Sequence, residues 1–270
     1  MRTLDLGPIL AVAHKEIREY RRTPFVIGTM VVLPIVFMIS PIATIFSIGP
    51  SVPASSVMQA VDAVFLLLLV IPAALPATLA AYSVVGEREQ GTLEPVLTTP
   101  VRRGELLLGK ALAAVGPSAG IAYILFGLVE LIASLFASNP NVPTALHDGP
   151  HLLAEALFVP LLAMWSIGVG IGISARSSDV RVAQQLGTLA SLPPLAVTVL
   201  VTFQVLPSSL GVAFGFGLGL LLLDIAMWRV IVAMFDRERL ITGSRATGSH
   251  GGGAPGEVRR IGTVPGDVSG

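Results

Sequence analysis

The sequence contains no cysteine, and only 13% of its 270 residues are charged. The absence of cysteine excludes disulfides, thiolate metal sites and cysteine nucleophiles. Soluble domains carry charge at about a quarter of their positions, whereas here 53% of the residues are hydrophobic and the mean hydropathy is +0.80. The scarcity of charge therefore indicates a protein that crosses a membrane several times. The formal net charge is zero, so nothing in the total points to nucleic acid as a partner.

Charge is missing altogether from residues 23–61 and from residues 182–223. Since about 20 helical residues cross the roughly 30 Å hydrocarbon core, each run is too long for one straight span. Turn-rich sequences divide the chain further. The fold class is thus predicted to be an all-α polytopic membrane protein with six transmembrane helices, at residues 24–47, 58–85, 106–137, 152–174, 184–205 and 209–234.

Positive charge is confined to alternate connections of this layout. All 17 lysines and arginines fall in residues 1–22, 86–110, 175–185 and from 229 onward, and the three opposite loops contain none. Cytoplasmic loops of membrane proteins carry the excess of Lys and Arg. The distribution therefore predicts a multi-pass protein of the cell membrane with both termini in the cytoplasm.

Two cytoplasmic segments are predicted to flank a transmembrane domain at residues 24–234. Residues 1–23 include an amphipathic stretch whose apolar side chains fall near one face: Ile9, Leu10, Ala13, Ile17 and Tyr20. A helix of this kind lies in the membrane interface with its basic side near the lipid headgroups. Residues 235–270 become rich in Gly, Ser and Pro from about Thr242 and are predicted to be largely disordered.

Residues 86–110 are the only long polar stretch between two predicted spans. Within them, 87–97 are predicted to form a short helix along the membrane surface, because Leu93 and Leu97 recur on one side and Glu87 and Glu94 on another. Pro100 limits the length of that helix. A charged helix in this place is suited to contact a soluble partner. On charge alone, a solvated loop is the alternative.

The residue order in this segment resembles the signature of the ABC type-2 transporter permeases. The matching residues are Gly86-Glu87-Arg88-Glu89, Gly91-Thr92-Leu93-Glu94, Leu97, Pro100, Arg103 and Gly109-Lys110. The resemblance implies a membrane subunit of an exporter that is driven by a separate ATP-binding subunit, and a dimer with a second permease copy or a paralogue. It further implies that ATP and Mg²⁺ are bound by the partner, so that this chain has no cofactor of its own.

The same resemblance assigns roles to particular residues. It makes residues 1–23 an elbow helix and the segment 86–110 the site of a coupling helix, which docks on the ATPase. The implied coupling residues are Glu87, Arg88, Glu89, Gly91, Thr92, Leu93, Glu94, Leu97, Pro100 and Arg103.

Residues 104–110 also match the G-x-x-x-x-G-K pattern of a phosphate-binding loop. Ala111 replaces the Ser or Thr whose hydroxyl would hold magnesium. Glu105 would place a negative charge beside the phosphates, and no predicted strand precedes the run. ATP binding at this site is therefore rejected.

Four acidic residues fall within or at the edge of the predicted spans: Asp62, Glu130, Glu155 and Asp224. Ionisable groups at membrane depth are costly and are functional hypotheses by default. Asp62 and Glu155 lie within one or two turns of the outer surface, where they could simply face water, and Glu130 lies about two turns from the outer end of its span. Asp224 lies near the middle of the sixth span. A role in translocation is predicted for these acids, and a polar network between helices is the alternative.

Residues 147–155 hold a small polar cluster. His147/His151 and His151/Glu155 have the i, i+4 spacing with which a helix can bind a metal, but Gly149 and Pro150 interrupt the first pair. Asp148 is instead predicted to cap the fourth span, and no metal site is predicted.

Glycines and prolines predict how the spans pack. Gly168, Gly170 and Gly172 in the fourth span permit close approach of a neighbour. The repeat Gly211-x-x-x-Gly215-x-x-x-Gly219 in the sixth span is typical of a seat for another helix. Pro72 and Pro76 are predicted to kink the second span, where neighbours satisfy the freed backbone groups.

The sequence thus predicts a permease subunit of an ATP-driven exporter that moves a lipid, a hydrophobic drug or a small ion. It is not expected to be an enzyme, since it carries no recognisable catalytic set. Two other classes remain open. A proton-coupled secondary transporter would use Asp224 and Glu130 as a relay, and a membrane scaffold would transport nothing.

Overall fold

The structure is a computed structural model that describes residues 5–81, 102–177 and 179–247, with residues 103 and 234–247 described by their backbone alone. All regular structure in these ranges is helical. The α-helices are α1 (Leu6–Tyr20), α2 (Pro24–Ser47), α3 (Ala54–Ala81), α4 (Arg103–Phe136), α5 (Asn141–Leu146), α6 (Gly149–Ser174), α7 (Val180–Ser191), α8 (Ala196–Thr202) and α9 (Leu210–Thr247), with a 3₁₀ turn at Pro193–Leu195.

Six stretches of the described chain are long and apolar enough to cross a membrane. They correspond to α2, α3, α4, α6, the residues Val180–Thr202 and the first part of α9. The predicted fold class is therefore confirmed, and the first span has the bounds expected from the sequence. The second and fourth begin a few residues earlier than predicted, at Ala54 and Gly149.

Helix α3 is the central element of the bundle. In its most apolar stretch of 18 residues, 78% of the residues are buried, whereas only 22% are buried in the corresponding stretch of α2. Its buried side chains run without interruption from Ile71 to Ala81 and are mostly small, which lets neighbouring helices approach from several sides. The apolar core is built around it, with α2, α4, α6 and α9 contributing residues such as Ile45, Val129, Leu162 and Leu220.

The closest approach to α3 is made by α6. A Cβ added to Gly170 would lie 2.6 Å from the Cβ of Ala80 and 3.1 Å from the Cα of Ala77, so only glycine fits there. The backbone N–H of Ala77, directly after Pro76, donates to the Ser166 hydroxyl at 3.0 Å. Proline disrupts the helix ladder at this point. A side chain of α6 therefore satisfies a backbone group of α3, as the membrane interior requires.

The fifth span differs from the single helix predicted at residues 184–205. Helix α7 ends at Ser191, the adjacent Pro193 and Pro194 form a 3₁₀ turn, and α8 then runs to Thr202. Two successive residues without backbone N–H groups cannot continue an α-helical ladder, so the span is broken at its middle. The predicted link at residues 175–185 is correspondingly shorter, since α7 already begins at Val180.

The contacts of the chain divide it into two units, residues 1–232 and 233–270. Helix α9 continues through this division to Thr247, beyond the end predicted for the sixth span. Residues 235–247, the first part of the predicted tail, are helical.

The glycine repeat of α9 does not seat a helix in the described chain. A Cβ added to Gly215 or Gly219 would meet nothing within 4 Å, and one on Gly211 would meet only the neighbouring Ser209 hydroxyl, at 4.0 Å. The close contact is made instead by Gly217, where a Cβ would lie 3.0 Å from Leu157 of α6. In the fourth span, Gly172 likewise has open space.

Candidate functional site

Helix α4 begins at Arg103, inside the predicted coupling segment of residues 86–110. Glu87, Arg88, Glu89, Gly91, Thr92, Leu93, Glu94, Leu97 and Pro100 lie outside the described residues, so the predicted coupling helix is not tested. The described part of the segment, residues 102–110, packs against α1. We call this contact the α1–α4 junction; it consists of Asp5–Tyr20 and residues 102–110.

Glu105 joins the first turns of the two helices. Its Oε2 accepts a hydrogen bond from the backbone N–H of Arg102 at 3.2 Å, and its Oε1 accepts one from the backbone N–H of Asp5 at 3.2 Å. The side chain is buried, and it lies in the first turn of α4, where the helix dipole favours a carboxylate. The start of α4 and the start of α1 therefore share one acceptor.

A buried ion pair joins the helices one turn further on. Lys110 Nζ lies 2.8 Å from Glu16 Oε1, and the two side chains are only 4% and 2% exposed. Lys15 approaches the same Glu16 oxygen at 3.4 Å but is 44% exposed. Buried charges need good pairing geometry, and losing one partner leaves the other uncompensated. Lys110 is thus the main cation that permits Glu16 to be buried.

Gly109 allows this approach. A Cβ at that position would lie 2.7 Å from Val12 and 2.8 Å from the backbone oxygen of Ile9, so any larger residue would push the helices apart. Gly109 and Lys110 both lie inside α4 rather than in a loop. The helical geometry removes the cradle of backbone N–H groups that a phosphate-binding loop provides, in agreement with the rejection of that motif.

The apolar face predicted for α1 is divided in the structure. Ile9, Ala13 and Tyr20 are buried, together with Glu16. Leu10 and Ile17, predicted on the same face, are 61% and 38% exposed. Helix α1 therefore presents one stripe to α4 and leaves a second apolar stripe uncovered, which suits a helix lying at a membrane interface.

At the other end of the bundle, α3 and α6 begin close to the turn that joins α2 to α3. We call this the distal end. Here the side chain of Asn139, in the connection that follows α4, donates to the backbone oxygens of Gly49 and Val52, both at 3.0 Å. These bonds join that connection to the turn between α2 and α3. Asp148 is the N-cap residue of α6, as predicted, and Pro150 lies in its first turn, although the Asp148 side chain makes no capping hydrogen bond.

Asp62 lies at the distal end, but it does not face water as the sequence suggested. Its side chain is 2% exposed. Oδ1 lies 2.8 Å from His151 Nε2, and Oδ2 accepts from Gln204 Nε2 at 3.1 Å. Thr202 adds a hydrogen bond to the Asp62 backbone oxygen at 3.2 Å. This Asp62 cluster (Asp62, His151, Thr202 and Gln204) joins α3, α6 and the end of α8.

Neither of the two histidine pairs considered from the sequence, His147/His151 and His151/Glu155, forms a contact in the Asp62 cluster. His151 bonds to Asp62 of another helix rather than to His147 or Glu155, and His147 bonds to the backbone of Pro143. In the described ranges, no three His, Asp or Glu side chains lie close enough together to hold a metal ion.

The remaining predicted acids lie in two separate places. Glu130 of α4 and Glu155 of α6 are half-buried and lie within electrostatic range of each other. Asp224 of α9 is 5% exposed, and neither of its carboxylate oxygens has a hydrogen-bond partner in the part of the chain that the structure describes. The structure thus brings Glu130 and Glu155 together and leaves Asp62 and Asp224 in sites of their own.

A family model described as "ABC-2 family transporter protein" matches residues 10–202, from α1 to the end of α8. The chain belongs to the ABC-2 transporter family. The resemblance drawn from residues 86–110 is thereby confirmed at the level of the family. The coupling roles of individual residues stay predictions.

Among curated proteins, this ABC-2 family chain is similar to the ABC transporter permease protein NatB of Bacillus subtilis (strain 168). The two are 32% identical over 142 residues, which cover 51% of this chain and 36% of NatB. The match therefore spans little more than a third of the length of that relative.

Sequence reasoning missed the partners that make these sites. Glu16 was not singled out, although it pairs with Lys110, and Gln204 was assigned to the end of the fifth span without a role. Gln204 has a φ of 58°, in the left-handed region that side chains other than glycine adopt infrequently. The only sequence signal for it was a polar residue at the end of an apolar run.

Proposed function

We propose that this chain is the permease subunit of an ATP-driven exporter in the cell membrane, with both termini in the cytoplasm. In this proposal it works as a dimer with a second permease copy or a paralogue, and a separate ATP-binding subunit binds ATP and Mg²⁺ and carries out the hydrolysis. Family membership, six apolar spans and the distribution of the 17 basic residues support this assignment.

The α1–α4 junction carries the mechanistic part of the proposal. Helix α4 has 34 residues, which corresponds to about 51 Å of continuous helix, and its first turns belong to the coupling segment. Since Glu105, Gly109 and Lys110 fix α1 to its first turns, a push on residues 87–97 would move α1 and α4 together. The displacement would then reach α3, the buried helix on which α4 packs, and reshape the path between the spans.

The coupling role is tested by a Glu87→Ala, Glu94→Ala double variant of the full chain, assembled with its ATP-binding subunit. These substitutions remove two charges that would face the ATPase, so substrate-stimulated ATPase activity should fall on the order of tenfold, an effect of about 1.4 kcal/mol. A matched control, Glu19→Ala, removes an exposed carboxylate of α1 and should leave stimulation unchanged. Normal stimulation in the double variant would refute the coupling role.

The proposed orientation has its own test. Because the chain lacks cysteine, Thr98→Cys introduces a single thiol in the coupling segment and Ser51→Cys introduces one in the turn between α2 and α3. A membrane-impermeant maleimide applied to intact cells should label the second variant only. Labelling of the Thr98→Cys variant would show that the topology is the reverse of the proposed one. The coupling segment would then lie outside the cell, where it could not contact a cytoplasmic ATPase.

The proton-coupled alternative gains no support from the positions of its two acids. Asp224 lines a cavity together with Leu108, and Glu130 lies 22 residues beyond Leu108 on α4, which corresponds to roughly 33 Å of helix. A direct relay between these carboxylates would have to bridge most of the membrane. No contact favours the scaffold alternative either, and transport that is abolished by removal of the ATP-binding subunit would exclude both.

A further inference from the structure

Asp224 is the buried acid for which the described structure provides no partner. It lies on α9, is 5% exposed, and both of its carboxylate oxygens are buried without a hydrogen bond. An ionised carboxylate in apolar surroundings is strongly destabilising unless a cation or hydrogen-bond donors compensate it. An ionised Asp224 would therefore need a compensating group from outside the described residues, and without one the carboxyl group is neutral.

The carboxylate borders a cavity of about 310 Å³ between α4, α6 and α9. This volume falls at the lower end of the range for small-molecule sites. Apart from Asp224 and Arg229, its walls are apolar and include Leu108, Leu161, Met164 and Leu221. A ligand that fills the cavity must therefore be mostly apolar, with one group that satisfies Asp224.

The aromatic ring of Trp228 contributes to the same cavity, one helical turn after Asp224. A cation beside a carboxylate gains further stabilisation from an indole face. Arg229 also borders the cavity but is exposed. Five residues along a helix correspond to about 140° of rotation, so Arg229 lies at the rim, where its long side chain can reach water.

Other ligand classes fit this lining less well. A metal cation needs several oxygen ligands, and the described lining supplies the carboxylate of one residue among apolar side chains. A neutral lipid or drug would contact the apolar walls but would supply no charge to pair with an ionised Asp224. An organic cation satisfies both conditions, since its ammonium group pairs with Asp224 and its apolar body contacts the leucines.

We propose that the Asp224 cavity is a binding site for an amphipathic organic cation, with Asp224 pairing with its ammonium group and Trp228 lying beside it. The inference rests on the proposed exporter function in so far as it names the class of substrate that the exporter takes. Binding itself needs neither ATP nor the ATP-binding subunit.

The test uses the full chain in phosphatidylcholine nanodiscs and two probes of equal shape, benzyltrimethylammonium and its neutral isostere neopentylbenzene. The chain contains two tryptophans, so a Trp165→Phe background leaves Trp228 as the fluorescent reporter. Asp224→Asn should weaken binding of the cation on the order of 30-fold, as expected when one member of a buried charge pair is removed. Binding of the neutral isostere should change less than about twofold, since its contacts are apolar.

Two further variants locate the site. Glu19→Gln neutralises an exposed carboxylate of α1, outside the spans, and should leave both probes unaffected. Leu161→Phe adds volume to the cavity and should weaken both probes while Asp224 is intact, so the proposal is tested even where Asp224→Asn does not fold.

Equal cation affinity in the wild type and Asp224→Asn would overturn the proposal, as would cation binding that is insensitive to Leu161→Phe. A change of oligomeric state in Asp224→Asn would also overturn it, because Asp224 would then be satisfied by a second copy. Saturable, Asp224-dependent binding in a chain whose transport needs no ATPase would support this site and refute the proposed exporter function.

Discussion

Replacing Lys110 by Met is expected to lower the free energy of unfolding by about 3 kcal/mol or more, the loss typical of a buried ion pair that is deprived of one member. The methionine retains most of the apolar stem of the lysine but leaves the Glu16 carboxylate, which is 2% exposed, without its main cation. Lys15 cannot replace the lost cation at equal strength, since it is 44% exposed and also contacts Glu19 at 3.1 Å. Reversible unfolding in mixed detergent micelles measures the difference.

Two companion variants separate pairing from packing. Lys15→Met removes the exposed cation near the same oxygen and should cost less than about 1 kcal/mol. Glu16→Gln combined with Lys110→Met removes both charges and should be less harmful than Lys110→Met alone, because no uncompensated charge remains. If Lys110→Met costs no more than Lys15→Met, the Glu16–Lys110 pair does not hold the junction.

Lys110→Met should also weaken the packing of α1 against α4. Ala13 lies in the buried stripe of α1 and is 8% exposed, so Ala13→Cys places a single thiol inside the α1–α4 junction. Adding Lys110→Met should make that thiol react faster with a maleimide. Unchanged reactivity would indicate that apolar packing alone fixes α1 to α4.

The spans could be predicted because the length of an apolar run is a local property. Residues 24–47 lie between a basic segment and a Gly-Pro turn, and α2 has those bounds. The interior of the fifth span could not be predicted from length and charge alone. Single prolines lie inside α2, α3, α4 and α6 without ending them, whereas the adjacent Pro193 and Pro194 form a 3₁₀ turn. The contact that satisfies the backbone beside Pro76 comes from Ser166, 89 residues away in the sequence, and could not be predicted from local residues.

The polar sites were harder to predict for the same reason. Sequence spacing reveals pairs on one helix, so His151 was paired with His147 and Glu155. Its partner is Asp62, 89 residues earlier, and Lys110 pairs with Glu16, 94 residues earlier. The presence of acids at membrane depth was readable from the sequence, while the sorting of Asp62, Glu130, Glu155 and Asp224 into separate sites depends on helix packing.

The second large effect is expected at the distal end, from Asp62→Ala. The substitution removes the acceptor of both His151 Nε2 and Gln204 Nε2 and leaves a void in a buried site. His151 is 5% exposed, so leaving it unsatisfied costs about 1–3 kcal/mol. Gln204 is exposed and adds less, but the void adds a further cost, so the free energy of unfolding should fall by about 3 kcal/mol. A water-facing aspartate, as the sequence alone suggested, would change it by less than about 0.5 kcal/mol.

Asp62→Asn is the matched control for this prediction, because it preserves the shape and one acceptor oxygen while removing the charge. It should cost about 1–2 kcal/mol, since one hydrogen bond to the amide survives. Gln204 provides an independent check: its left-handed backbone, with φ of 58°, is held in place by the bond to Asp62 Oδ2. Gln204→Gly relieves that strain but loses the bond, so it should be milder than Asp62→Ala. If Asp62→Ala and Asp62→Asn are both neutral by unfolding, the cluster does not hold α3, α6 and α8 together.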